Sequence, residues 1–422
     1  MLNKINTMLW LAATLLIFIT GIYFSYKIKC QQFNLKQMWK QLKKSGMEDG
    51  ISPIQTLTLN LAARIGVGSI SGIALAIYVG GPGTVFWMWV TAIIASANTF
   101  LESYFAVKYQ ECDEGNVMKG GPSYYIEKGL NKKGLAKLYS IIILITFICG
   151  FLTIQSNTIA IGLADLFPVP TYITGIILAS ITALIIMKGV KRIAKVTNFL
   201  VPLMGIIYFA ICFVIILKNI NLMPSIFQSV FAQAFNLKSA GIGIFTVFII
   251  GMQRGIFSNE AGIGTGAITA ATIKTKNYKS QGYIQTLGIY IDTLVVGTLS
   301  SIVVMCCNYN SLIIIDPNGI EIAKYAFFFH FGSLGNYLMM LIIILFALAT
   351  IITGYYYGES AFKYIKKNYN KRDIILLKIL ALAMIIFGSI ASSTKLWELN
   401  DVFIAILAII NTYALWHLKD KI

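Results

Sequence analysis

The chain has 422 residues and a formal net charge of +17; 57% of its residues are hydrophobic, 12% are charged, and the mean hydropathy is +0.75. A soluble domain carries about 25% charge, so this composition describes an integral membrane protein and excludes a secreted disulfide scaffold and a disordered chain. The excess lysine falls in short loops between apolar runs rather than on one face of a soluble unit, which excludes a nucleic-acid partner as well.

A bilayer is crossed by roughly 20 apolar residues. Runs of that kind, bounded by charge, predict eleven helices near residues 8–26, 54–79, 83–107, 138–165, 170–188, 193–218, 240–270, 282–306, 336–362, 374–392 and 399–417. The first lacks the basic start and small-residue cleavage site of a signal peptide and is read as a retained helix. Alternating the loops puts segments 27–53, 108–137, 188–195, 271–281, 363–378 and 418–422 on one side, with 27 of the 34 Lys and Arg. Lys4, Lys218, Lys238, Lys324 and Lys395 fall on the other, and Arg64 and Arg254 lie inside spans. The positive-inside rule makes the lysine-rich side cytoplasmic, with the amino terminus outside the plasma membrane and the carboxyl terminus in the cytoplasm.

Ten helices remain when the first is set aside: five ending near Lys218 and five ending near His417. Five is odd, so the halves run in opposite directions, the arithmetic of an inverted-topology repeat. Residues 1–53 then hold the extra helix and a basic segment, 54–218 the first repeat and 219–422 the second. The leading helix of each half is interrupted by glycine, at Gly66, Gly68 and Gly72 in one and at Gly251, Gly255, Gly262, Gly264 and Gly266 in the other. Glycine costs about 1 kcal/mol in a helix interior, so clusters at matching places predict broken helices. Close helix packing also uses glycine, but the second cluster carries Arg254, Ser258, Asn259 and Glu260 besides. Backbone groups freed by a break must line a protein-enclosed cavity. Helix N-termini there suit a carboxylate and freed carbonyls suit a cation, which together describe an amino acid with Na⁺.

Ionisable groups at membrane depth cost about 2.5–3.5 kcal/mol each and need a partner or a role. Arg64, Arg254, Glu260 and Asp292 stand out. Helix direction puts Arg64 and Glu260 on the cytoplasmic side of their breaks, so either they pair across the inner mouth or each finds its own partner. Arg254 lies toward the outside, and Asp292 is a cation ligand or a partner for Arg254. Gln155, Ser156 and Asn157 bring polar groups into an apolar helix, and Gln155 is the strongest signal because helix backbone groups are already used. Thr350 and Thr353 add hydroxyls that also bond their own backbone. Glu102 and Glu359, near cytoplasmic helix ends, are read as structural, satisfied by snorkelling or loop lysines. Cys149, Cys212, Cys306 and Cys307 are small apolar fillers, and His330 and His417 have no neighbours that would make a metal cluster.

Several strings resemble the alanine or glycine:cation symporters, also called the sodium:alanine symporter family, within the transporters of LeuT-type fold. They are Ala63-Arg64-Ile65-Gly66, Gly80-Gly81-Pro82-Gly83 with Phe86-Trp87-Met88-Trp89, Gly120-Gly121-Pro122 with Tyr124 through Leu130, and Gln155-Ser156-Asn157. Arg254 through Gly262, Ile291-Asp292-Thr293 and Tyr356-Tyr357-Gly358-Glu359 continue the series in the family's order. The resemblance implies an all-α polytopic protein with a five-plus-five inverted repeat of ten core helices and one extra amino-terminal helix. It implies secondary active symport of a small neutral amino acid with a monovalent cation, most simply Na⁺, and no other cofactor. The substrate is expected at the breaks with Gln155, Phe257 and Ser258, and sodium between carbonyls near Ala62 and Ile65 and the Thr350 hydroxyl.

The candidate set is Gly68, Ser69, Gly72, Gln155, Phe257, Ser258, Asn259 and Gly354 for substrate; Ala62, Ile65, Thr350 and Thr353 for sodium, with Asp292 as a further ligand; and Arg64, Glu260 and Arg254 for gating. The chain departs from the family's pattern at Val67 and Ser69, at Asn98-Thr99, at Ala349 and at Gly354, where the family has a tryptophan. Glycine at 354 opens room for a side chain longer than alanine, such as glutamine, unless repacking fills it. Proton coupling through Asp292 or Glu260, or uncoupled transport, is the alternative. A channel would show a selectivity ring. An enzyme would need a nucleophile and base or a metal set, and an ATP-driven pump a phosphate loop; the sequence offers neither.

Overall fold

The computed structural model describes residues 2–43, 51–113, 117–235, 243–307, 319–391 and 394–422; Lys44, Lys238 and the first residues of the span expected at 240–270 lie outside them. Helix α1 (Leu2–Lys27) is followed by the short α2 (Leu35–Leu42). Then come α3 (Pro53–Arg64), α4 (Gly68–Gly80) and α5 (Gly83–Lys108). A two-residue hairpin of β1 (Glu111–Cys112) and β2 (Met118–Lys119) leads to α6 (Pro122–Leu130). α7 (Lys133–Leu144) continues through a π segment, Ile145–Phe151, into α8 (Leu152–Ala164), and α9 (Thr171–Ile186), α10 (Val190–Lys218) and α11 (Met223–Ala234) follow. The second half has α12 (Ile244–Asn259), α13 (Thr265–Ala270), α14 (Tyr278–Ile289), a π segment at Tyr290–Gly297 and α15 (Thr298–Met305). It ends with α16 (Gly319–Phe331), α17 (Ser333–Ile365), α18 (Lys371–Ile390) and α19 (Thr394–Leu418).

Among the described residues, eight helices are long and apolar enough to cross a membrane, and α3 with α4 forms a ninth span bent by 44°. Large apolar side chains are exposed along them, Met8 at 73% and Phe199 at 71% among them, as a lipid-facing surface requires. The protein is an all-α polytopic membrane protein. α2, α6, α11 and α16 occupy stretches expected as loops: the first three are amphipathic pieces, and α16 is a short apolar helix packed on α4 and α17.

Local signals explain the starts. Ser52 accepts from the N–H of Gln55 while the Gln55 side chain accepts from Ser52 N–H, a capping box, and Pro53 stands at the first helical position of α3. α1 lies against α5 and α19. Asn98 donates to the Ile17 carbonyl at 2.9 Å and accepts from Thr20 at 3.0 Å, so the amide at this unusual position ties the extra helix to the core. The rings of Tyr23 and Trp416 meet at 4.9 Å on the other flank.

Candidate functional site

In a continuous helix the N–H of Gly66 would serve the carbonyl of Ala62. It turns back to the Arg64 carbonyl at 2.8 Å, which releases the Ala62 carbonyl to a side chain. Thr350 of α17 takes it: Oγ1 lies 3.3 Å from Ala62 O and 3.0 Å from Phe346 O. The approach requires glycine, since a Cβ on residue 66 would stand 2.8 Å from Thr350 Oγ1. The second interruption is made by left-handed backbone at Glu260, Gly262 and Gly264, with φ of 52°, 82° and 96°. There Asn259 Oδ1 captures the N–H of Ala261 at 2.9 Å, withholding it from the Phe257 carbonyl.

Between the two breaks lies a buried oxygen cluster. Asp292, in the π segment after α14, has Oδ1 3.0 Å from Ser69 Oγ and Oδ2 2.8 Å from Ser258 Oγ and 3.1 Å from Thr293 Oγ1. Ser69 Oγ also stands 2.9 Å from the Arg64 carbonyl and 3.1 Å from Ser258 Oγ. These five contacts share three hydroxyl hydrogens. The surplus of lone pairs is what a hard cation, or a proton on Asp292, satisfies. The donors are all oxygens with one carboxylate among them, a set that suits a hard cation.

A narrow cavity of about 20 Å³ adjoins the cluster, lined by Ala63, Arg64, Gly66, Gly68, Ser69, Phe151, Gln155, Phe257, Ser258, Glu260 and Trp397. Such a volume holds little more than one water, so the protein is contracted around this point. Gln155 Oε1 and Arg64 Nε and Nη2 are buried there without a hydrogen-bond partner. Phe257 roofs the cavity under Trp397, with ring centroids 6.4 Å apart, and the Arg254 guanidinium stands 5.9 Å from its centroid. Gly68 admits the ring, because a Cβ there would come within 2.9 Å of Phe257 Cε1.

The expected residues therefore divide. Gly68, Ser69, Gln155, Phe257, Ser258, Arg64 and Glu260 line one cavity, and Ala62 meets Thr350 one layer away. Ile65 stands at the end of α3, its N–H on the Leu61 carbonyl at 2.8 Å. Asp292 engages Ser69 and Ser258 rather than Arg254, whose acidic neighbour is Asp401 of α19. Thr353 bonds back to the Ala349 carbonyl at 3.1 Å, and Asn259 shapes its own break while donating to Thr293 at 3.2 Å. A Cβ on Gly72 would meet only Arg254 Cδ, at 3.9 Å.

Arg64 and Glu260 share the lining without an ion pair. Arg64 Nη1 donates to the Gln285 carbonyl at 3.0 Å, and Glu260 Oε2 accepts from Thr265 at 2.6 Å, so each has its own partner in this conformation. Gly354 lies outside the lining. A Cβ there would meet Leu152 Cδ1 at 3.3 Å and Phe147 Cδ1 at 3.4 Å, so the neighbouring helix fills the room that a missing tryptophan was expected to leave.

Phe151 was missed because an apolar residue in an apolar span carries no mark of which face it is on, and Trp397 because α19 begins at Thr394, ahead of the span expected at 399–417. The break in α12–α13 also has a buried clasp. Asn411 Nδ2 donates to the Gly262 carbonyl at 2.9 Å and to Glu102 Oε1 at 2.5 Å, Tyr125 donates to Asn411 Oδ1, and the Tyr139 hydroxyl donates to the Ile263 carbonyl at 2.7 Å. Glu102 is thus fully buried and held by an amide of α19, not by snorkelling or loop lysines, whereas Glu359 does meet Lys363 at 2.5 Å.

The family model described as "Sodium:alanine symporter family" matches residues 1–422. The chain is 36% identical over 424 residues to the "Probable sodium/glutamine symporter GlnT" of Bacillus subtilis, covering 99% of this chain and 87% of that protein. It is 33% identical to the "Sodium/alanine symporter AgcS" of Methanococcus maripaludis, covering 98% and 93%. Among solved structures it resembles a manganese transporter of Eremococcus coleocola, with a TM-score of 0.57 at 12% identity over 89% of this chain and 79% of that one, which speaks for the fold alone. The chain belongs to the sodium:alanine symporter family, and is accordingly a multi-pass, cation-coupled amino acid transporter of LeuT-like fold and not an enzyme.

Proposed function

We propose that this protein couples the inward movement of Na⁺ to uptake of a small neutral amino acid, of the alanine or glycine type, by alternating access across the plasma membrane. The observation that carries this is the oxygen cluster of Ser69, Ser258, Thr293, Asp292 and the Arg64 carbonyl, set beside a cavity whose polar atoms include Gln155 Oε1. The cluster offers a cation the lone pairs that three hydroxyl hydrogens leave over, and the freed Ala62 carbonyl with Thr350 offers a second oxygen pair. The breaks give the substrate carboxylate its backbone donors at the start of α4, and Gln155 receives the ammonium. Small size follows from Phe147 and Leu152 closing the space beside Gly354. Arg64 with Glu260 on one side and Arg254 on the other act as gates, pairing only in conformations other than this one.

The supporting frame is eleven crossings, with the ten after α1 read as a five-plus-five inverted repeat and the amino terminus outside. In favour of that reading, α3–α4 is a span bent by 44° at its break, and α12 and α13 are likewise separated by a stretch of left-handed backbone. Uptake of labelled alanine into proteoliposomes, with Na⁺ or choline outside and twenty unlabelled amino acids in competition, tests the proposal. Sodium-dependent uptake inhibited by alanine and glycine is the expected result. Uptake indifferent to Na⁺ but abolished by dissipating the proton gradient would move the coupling to a proton on Asp292, and glutamine outcompeting alanine would overturn the small-substrate reading.

A further inference from the structure

Where α7 begins and α17 ends, a cleft of about 320 Å³ opens on the lysine-rich face, lined by Lys133, Lys137, Tyr364, Ile365, Lys367 and Asn368. Every charged group in its lining is basic. The nearby carboxylate, Glu127, is already engaged: Oε2 accepts from the Tyr364 hydroxyl at 2.6 Å and Oε1 meets Lys367 at 3.2 Å, and these two, with the charge of Lys133 at longer range, hold its carboxyl below the usual carboxylate range. Lys133 and Lys137 form no ion pair within 4.0 Å among the described residues. They stand one turn apart at the first turns of a helix that runs on for 32 residues, so two like charges and the positive helix end converge on one spot. Glu127 answers Lys133 only at a distance and is shared with Lys367, so the convergence leaves positive charge for a further anion to meet.

The surface beyond the lysines says which anion. Continuing along α7 from Lys133 and Lys137, the side chains turn apolar without becoming buried: Leu138 is 48% exposed, Ile141 37% and Ile145 39%. A basic cleft that opens onto an exposed apolar stripe matches a molecule with a phosphate at one end and hydrocarbon at the other. We infer that the cleft between the start of α7 and the end of α17 binds the headgroup of an anionic phospholipid, with an acyl chain lying along Ile141 and Ile145. The two helices so bridged carry Gln155, beyond the π segment, and Thr350, so the bound lipid steadies the scaffold on which the central site is built.

The probe is phosphatidylglycerol, and the readout is lipid retention, which does not depend on what the protein transports. Full-length protein is reconstituted in phosphatidylcholine with phosphatidylglycerol, extracted, washed in detergent and examined by native mass spectrometry. The wild type should retain phosphatidylglycerol, and Lys133→Gln/Lys137→Gln should retain at least tenfold less. Lys188→Gln/Lys191→Gln, which removes the same charge elsewhere on the lysine-rich face, should retain as much as the wild type, and Lys133→Arg/Lys137→Arg should restore binding. Equal retention in all four proteins overturns the inference, as does equal loss in both glutamine variants, which would mean diffuse attraction to a basic face. Delipidated protein titrated with inorganic phosphate supplies the last arm: saturable phosphate binding lost in Lys133→Gln/Lys137→Gln, without phosphatidylglycerol retention in the wild type, would make this a site for the free ion and overturn the lipid assignment.

Discussion

Ser69 and Ser258 bring their hydroxyl oxygens to 3.1 Å across 189 residues of sequence, and each also reaches the Asp292 carboxylate. The two interrupted helices are therefore joined through one buried acid, and a change at any of the three residues is felt at both breaks. Asp292→Asn keeps the shape but removes the charge. Half-saturating Na⁺ should rise about ten- to a hundredfold, the equivalent of the ~1.5–3 kcal/mol of a hydrogen bond to a charged group. Uptake measured against Na⁺ concentration checks this, and an unchanged Na⁺ dependence would remove Asp292 from the cation site.

A methyl group at residue 66 acts on the other oxygen pair. Gly66→Ala places a Cβ 2.8 Å from Thr350 Oγ1, so the hydroxyl must leave the Ala62 carbonyl. Transport should fall at least tenfold while expression and thermal stability in detergent change little. Thr350→Ala should reproduce the defect, and the double variant should be no worse than either single, since neighbours acting through one contact are not additive.

The clasp on the second break makes a conformational prediction. Asn411→Ala and Tyr139→Phe each free a break carbonyl, Gly262 or Ile263, that is otherwise paired. An unsatisfied buried carbonyl costs about 1–3 kcal/mol, so the contracted conformation should lose roughly five- to a hundredfold in population. A cysteine placed at Thr269 of α13, buried in this conformation, should then react faster with a membrane-impermeant maleimide. No acceleration in either variant would show that the clasp does not hold the closed state.

The tryptophan expected from the family's pattern no longer fits. Leu152 and Phe147 already lie 3.3 and 3.4 Å from where a Cβ on Gly354 would be. Gly354→Trp should cost about 1–3 kcal/mol or more of overpacking and lower the melting temperature in detergent, whereas Gly354→Ala should fold and transport. A stable Gly354→Trp protein with altered side-chain selectivity would return residue 354 to the substrate site.

The breaks were legible in the sequence because glycine is costly in a helix, but only Gly66 in one span and Gly262 and Gly264 in the other stand at a break; Gly251 and Gly255 lie inside α12, where they let it pack closely on α5. The residues that bear the chemistry were legible for a related reason: Gln155, Ser258, Glu260 and Asp292 are polar where the membrane allows little polarity. Pairing was harder to read. Helix direction put Arg64 and Glu260 at one depth, but depth leaves rotation about the helix axis free, and Arg64 turns to the Gln285 carbonyl of α14 instead. Phe151 was invisible because hydropathy cannot separate a lipid-facing ring from a cavity-facing one, and Trp397 because the charge and polarity around it placed it in a loop rather than in α19. Asn411 could have been found. It is an amide in an apolar span, the same signal that picked out Gln155.

The π segment Ile145–Phe151 makes one long helix serve two solvents. A wide turn takes up an additional residue, so everything beyond it is rotated by about 100° relative to an uninterrupted helix. Before the turn, Leu138 and Ile141 look outward; after it, Gln155 looks into the cavity. Deleting the half-buried Cys149 would leave the hydropathy of the span almost unchanged and shorten it by only ~1.5 Å. Because the deletion removes the one residue that the wide turn takes up, a helix closing up as a regular α-helix would keep Gln155 toward Phe257 and Ser258, whereas a turn tightened with all its residues kept would swing the amide away and cost the protein its substrate. In this span, the number of residues in one turn decides which way the amide points.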